Sequence, residues 1–132
     1  MTPVNSQGFN KSLRLLSSSD YKTVFDDAKL KVSSPQVLFL ARPNGRSHPR
    51  LGLVVAKKNA KLAVQRNRIK RIARESFRLQ QHQLGGIDAI LLARSGLDRM
   101  DNREMQQMFA DLWKQLKRRT EKYARRAREA RS

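Results

Sequence analysis

Between Lys57 and Arg78 the chain reads KKNAKLAVQRNRIKRIARESFR, nine lysines and arginines against the single acid Glu75. Arginine forks grip phosphate oxygens through paired hydrogen bonds and lysines act as mobile point charges, so these residue types at this density suit a polyanion. At about 100° per residue, Leu62, Ile69, Ile72, Ala73, Ser76 and Phe77 gather on one face of a helix, with Asn67, Lys70, Arg71, Arg74 and Arg78 opposite. One side packs on a sheet; the other is a cationic ridge. Like charges a turn apart repel by a few tenths of a kcal/mol per pair, and a face kept only for solubility mixes both signs. This one does not.

Catalytic groupings are missing from the sequence. His48 sits in a Pro/Gly loop and His82 in a Gln-rich helix end, and no cysteine is present to complete a metal or thiolate site. Asp26 and Asp27 are neighbours on a helix, where side chains diverge by about 100° and cannot converge as acid and base. Gly85-Gly86 suits a helix stop, not a phosphate loop. Binding remains. Exposed rings can stack on unpaired bases, and Tyr21, Phe25 and Phe39 are candidates, although periodicity alone places all three in the core. Alternation along QVLFLAR sets Val37, Phe39 and Ala41 on one strand face. If that face is partly uncovered, Phe39 lines a groove. Trp113, in an apolar helical row, belongs to the core.

The elements that must position these residues follow from the same patterns. Leu13, Leu15 and Leu16 end a polar arm and dock on the core. Ser18, Ser19 and Asp20 offer caps for a helix through about Ala28, with Tyr21, Val24, Phe25 and Ala28 on one face. Lys29 to Ser34 and Gln36 to Arg42 read as strands. Pro43, Asn44, Gly45, Ser47 and Pro49 form a turn cluster, after which Arg50 to Ala56 returns as the second arm of an antiparallel hairpin. The cationic helix spans about Leu62 to Gln81. Asp88 to Arg94 is a buried strand, and strand, helix, strand in succession suggests a parallel crossover. From Asp101 or Asn102 a long helix carries Met105, Met108, Phe109, Leu112, Trp113 and Leu116 on one face. Beyond Leu116 that face is expected to vanish, leaving a frayed helix or a disordered basic tail. The fold class is α+β, a two-layer sandwich in the order α-β-β-β-α-β-α.

At 132 residues the chain fits one domain. Its net charge of +18 exceeds anything solubility asks for and predicts a polyanionic partner. Lys57 to Arg78 carries +8, and Lys114 to Ser132, with nine basic and two acidic residues, carries +7. No apolar run approaches the roughly 18 residues of a membrane span, and the first residues lack a secretory pattern. A cytosolic protein without a membrane partner is expected.

Arg66-Asn67-Arg68-Ile69-Lys70-Arg71, preceded by Gly52 to Lys58 (GLVVAKK) and followed by Arg74-Glu75-Ser76-Phe77, resembles the signature of the bacterial ribonuclease P protein component. The Ser-Asp-Tyr-Lys-Thr-Val-Phe helix and the closing Asp-Ala-Ile-Leu-Leu-Ala-Arg strand stand in family order. The resemblance covers about Leu13 to Leu116. A single RNA-binding domain is expected over 13–116; the flexible arm expected over 1–12 and the basic tail over 117–132, helical or disordered, lie outside the resemblance and take nothing from it. The resemblance implies a left-handed crossover for the parallel pair, where chain geometry alone predicts the right-handed form.

The activity the resemblance implies is that of a ribonucleoprotein whose large RNA subunit holds Mg²⁺ and removes the 5′ leader from precursor tRNA. The protein, one copy per RNA, then holds no metal and contributes no catalytic residue. By the same resemblance Arg66, Asn67, Arg68, Lys70, Arg71 and Arg74 face the catalytic RNA and the leader. Lys57 and Lys58 are the strand-end cations, and Tyr21, Phe25 and Phe39 form the aromatic side of the leader cleft. Two alternatives share the charge and size: a ribosomal or ribosome-assembly protein, and a nucleoid-type DNA-binding module.

Overall fold

In the computed structural model, which describes residues 13–15 and 17–131, a four-stranded sheet carries three helices in the expected order. The arm expected over 1–12 lies outside the described residues. Helix α1 (Ser18–Asp26) begins at a capping box: Ser17 Oγ accepts from the Asp20 amide at 3.1 Å, and Asp20 Oδ2 from the Ser17 amide at 3.4 Å. The cap thus lies one residue before the expected candidates, because Asp20 is the reciprocal partner.

Strands β1 (Leu30–Ser34) and β2 (Val37–Pro43) pair antiparallel across Pro35 and Gln36. Strand β3 (Arg50–Val54) leads to helix α2 (Ala63–Leu84), which ends at Gly85, whose φ of 72° favours a residue without Cβ. Strand β4 (Ile87–Ala93), a short 3-10 turn (Leu97–Arg99) and helix α3 (Asn102–Arg131) complete the chain.

The strand order is β1-β2-β4-β3. This overturns the expected hairpin between β2 and β3. Strand β4 stands between them, antiparallel to β2 and parallel to β3, so the parallel crossover through α2 is present and the hairpin is not. The reason is burial. IDAILLA is buried at six of its seven positions, and a strand apolar on both faces minimises exposure at the centre of a sheet. The residues between β2 and β3 are numerous enough to step across one strand spacing on each side, about 10 Å in all.

One sheet face lies under α2 and α3. Across it run Val32, Phe39, Leu91 and Leu53 in register. The Phe39 ring stands 4.3 Å from Trp113 and 6.4 Å from Phe109, and Phe77 meets Trp113 edge-on at 5.4 Å. Ile69, Ile72, Ala73, Ser76 and Phe77 of α2 are buried as their spacing predicts. Ser76 belongs there because its Oγ accepts the Trp113 Nε1–H at 3.0 Å. Leu62, expected on the same face, is 62% exposed; it is the N-cap residue and stands outside the helical turns.

The tail takes the helical of its two expected forms, and its apolar face persists where it was expected to vanish. Helix α3 continues to Arg131, and Thr120, Tyr123 and Ala127 follow Leu116 half-buried at spacings of four, three and four. Tyr123 packs against the main core. The apolar stripe thins into smaller and more polar residues without losing its helical period.

Candidate nucleic-acid interface

The second sheet face is only partly covered. Leu38, Leu40, Leu92 and Val54 point to it and remain half-buried, because each alternates with a residue aimed at the helix layer. Helix α1 lies across this face, sinking Val24 beside Ile90 and Leu15, with Tyr21 half-buried at the margin. Phe25, one turn on, is 45% exposed.

Charge pairs fix α1 there. Arg50 grips Asp88 through two hydrogen bonds of 2.8 and 2.6 Å and reaches Asp20 at 3.5 Å, while Asn44 donates to the same Asp88 at 2.8 Å. At the other end Asp27 receives Lys29 at 2.8 Å and Arg42 at 2.9 Å. The Lys29 hydrogen bond, aided by the charges of Lys29 and Arg42, holds the Asp27 carboxyl below the usual carboxylate range.

Residues 13–15 add themselves beside β3. The Leu15 amide donates to Leu51 O at 3.1 Å, and Leu13 and Leu15 are buried while Arg14 between them stays exposed. This places Arg14 near Arg74 of α2. Burial pushes the Arg74 guanidinium below its ordinary pKa, the positive charge of Arg14 pushes it further, and Tyr21 acts the other way. Arg74, Arg14 and Tyr21 therefore share one corner, where the cationic helix borders the open face.

The remaining expected residues divide. Asn67 and Arg71 are exposed on α2 and Lys70 is half-buried beside them. Lys57 and Lys58 are exposed just past β3, in a loop pinned by Asn59 Nδ2 donating to Ala93 O at 2.9 Å. Arg66 turns part of its guanidinium back, donating to Ala60 O and Lys61 O, both at 2.9 Å. Arg68 is committed to the chain itself: it donates to Gln65, to Asn102 and to the carbonyls of Asp98 and Met100. Arg68, expected among the residues facing the RNA, staples α2 to the start of α3.

Phe39 is likewise corrected. It is fully buried on the helix-covered face and lines no cleft. Its neighbours Leu38 and Leu40 hold the open face, since adjacent strand residues point oppositely. Arg14 and these leucines were missed in the sequence. The apolar-basic-apolar alternation Leu13-Arg14-Leu15 signalled the first, and the same period-two pattern in QVLFLAR permitted either face for the second. Among the described residues no three of His, Cys, Asp and Glu come together, and no helix is long and apolar enough to cross a membrane.

Fold and surface together define a class: a small basic α+β domain in which an arginine-rich helix edges a half-covered apolar sheet face. The sequence pattern of the family described as Ribonuclease P matches residues 9–117. The Ribonuclease P protein component of Pseudomonas putida is 52% identical over 113 residues, 86% of this chain and 84% of that protein. That of Pseudomonas aeruginosa is 52% identical over 111 residues, 84% of this chain and 82% of its own. Among solved structures, the Staphylococcus aureus RNase P protein superposes with a TM-score of 0.73 at 28% identity, covering 79% of this chain and 94% of that one. The Thermotoga maritima RNase P protein gives 0.68 at 30% identity, covering 77% and 96%. The chain belongs to the ribonuclease P protein family, and so to the protein components of an assembly that processes tRNA.

Proposed function

We propose that this protein binds the catalytic RNA of ribonuclease P together with the 5′ leader of precursor tRNA, and so assists RNA-catalysed removal of the leader to give the mature 5′ end. The observation that carries the reading is the corner of Arg74, Arg14 and Tyr21. Two guanidinium groups are held near one another, one of them partly desolvated, beside a ring and an apolar shelf. Like charges so placed favour an anion between them, and the ring and leucines beyond offer contact to unpaired bases. A single strand fits both demands. Its phosphates run along α2 and its bases lie toward Tyr21, Phe25, Leu40 and Leu92.

In this reading the chain acts as an electrostatic adaptor. Neutralising phosphates of the RNA and the leader lowers the concentration of free cations needed to hold two polyanions together. In this reading Mg²⁺ belongs to the RNA. One protein serves one RNA, in the cytosol. The test is cleavage of a 5′-extended precursor tRNA by bacterial ribonuclease P RNA at low Mg²⁺, with and without the protein. Stimulation that declines when the leader is cut to one or two nucleotides is expected. Stimulation independent of leader length would remove the leader from the reading, and no stimulation would remove the whole of it.

A further inference from the structure

A second cationic groove lies at the opposite sheet edge from β3, between the C-terminal half of α3 and edge strand β1. Its volume is about 190 Å³, and Lys29, Lys31, Arg119, Lys122, Tyr123 and Arg126 line it. Arg119, Lys122 and Arg126 recur at i, i+3 and i+7, which sets them in one row about 10 Å long. Lys31 borders the groove from the edge strand.

The ordinary reasons for such charges fail here. Lys29 is paired with Asp27, and Glu121 goes to Lys117, but Lys31, Arg119, Lys122 and Arg126 make no ion pair with any described residue. The negative end of the helix dipole accounts for cations in the last turn, where Arg128 and Arg131 stand, and its reach fades before Arg119 and Lys122. The family pattern matches residues 9–117, so the three α3 residues lie beyond the matched stretch. A linear row of like charges is costly to assemble and is neutralised best by a linear polyanion.

We infer that the groove between α3 and β1 binds the phosphodiester backbone of a second segment of the RNA subunit, apart from the segment faced by α2. The inference rests on the proposed RNA partner and extends it. Because β1 and β3 are opposite edges of the sheet, the protein then braces two RNA segments across its own width.

Two triple variants of equal charge test this. One removes the groove row (Arg119→Ala, Lys122→Ala, Arg126→Ala). The other removes Lys114, Arg118 and Arg125, likewise to alanine, from the solvent side of the same helix. All six positions are exposed, so both variants keep the fold, and circular dichroism verifies it. Affinity for ribonuclease P RNA is measured against salt concentration. At about 0.9 log units of slope per phosphate neutralised, the groove variant should lose two to three units and bind at least tenfold more weakly at moderate salt, while the control loses less than one unit. Equal losses in the two variants, or none in the groove variant, would overturn the inference. Leader-dependent stimulation, run in parallel, separates the two claims: if it persists in wild type while the groove variant keeps its slope, the groove alone fails. If wild type neither binds the RNA nor stimulates cleavage, both claims fall.

Discussion

The ring of Tyr21 rests on the backbone of Gly52. A Cβ at Gly52 would stand 2.7 Å from both Cε2 and Cζ of that ring, and the Tyr21 hydroxyl accepts the Leu53 amide at 3.2 Å. Helix α1 approaches β3 this closely only because position 52 has no side chain. Gly52→Ala should therefore displace the ring, lowering stability by about 1–3 kcal/mol in urea denaturation and weakening leader-dependent stimulation. Tyr21→Phe keeps the ring and leaves the Leu53 amide without its acceptor, at about 1 kcal/mol. It should retain leader dependence.

Phe39 and Leu40 differ by one position and by one sheet face. Phe39→Ala should cost about 3–5 kcal/mol, as expected for a fully buried ring, and the milder Phe39→Leu should preserve the response to leader length. Leu40→Ala should cost less stability and reduce that response. A leader effect confined to Phe39 would reverse the assignment of the two faces.

Arg68 and its helix neighbours should separate stability from binding. Arg68→Lys cannot reproduce a fork that reaches Gln65, Asn102 and two carbonyls, so it should lower the denaturation midpoint and leave the salt slope of RNA binding unchanged. Lys70→Ala with Arg74→Ala should do the converse, flattening a single-strand slope by about one to two units at roughly 0.7 per phosphate.

Acid should loosen α1. The folded pKa of Asp27 is depressed by Lys29 and Arg42, so its contribution is fully present above the ordinary carboxylate value of about 3.9. It is lost as pH falls through the lower folded value. The expected outcome is that Asp27→Asn narrows its stability gap to wild type as pH drops from 5 toward about 2, read from thermal melts in low salt. A gap independent of pH would place the effect outside the ion pairs.

How much of this could be read from the chain depended on whether the signal was local. The buried stripe of α2 follows from Ile69, Ile72, Ala73 and Phe77 alone, and its stop from Gly85. The place of β4 does not, because a strand's partner is decided by competition among all strands, and the turn cluster at 43–49 serves a hairpin or a crossing equally well. Phe39 shows the same limit on a smaller scale. Period two tells which residues share a face and not which face the helices cover. The staple at Arg68 depends on carbonyls some 30 positions away, and no spacing rule reaches so far.

The central position of β4 has a consequence for how the chain is made. Before residue 93 leaves the ribosome, the β1–β2 pair is the only strand ladder of the sheet that can form, and an isolated two-stranded ladder is marginal in water. The last strand in the sequence is the one on which β2 and β3 both depend, so the sheet assembles late and nearly at once, with a contact-order penalty on its rate. Until then a helix of almost uniformly positive charge emerges beside ribosomal RNA without the layer that will later orient it. Synthesis itself thus imposes a window in which this protein is at its most adhesive and least selective.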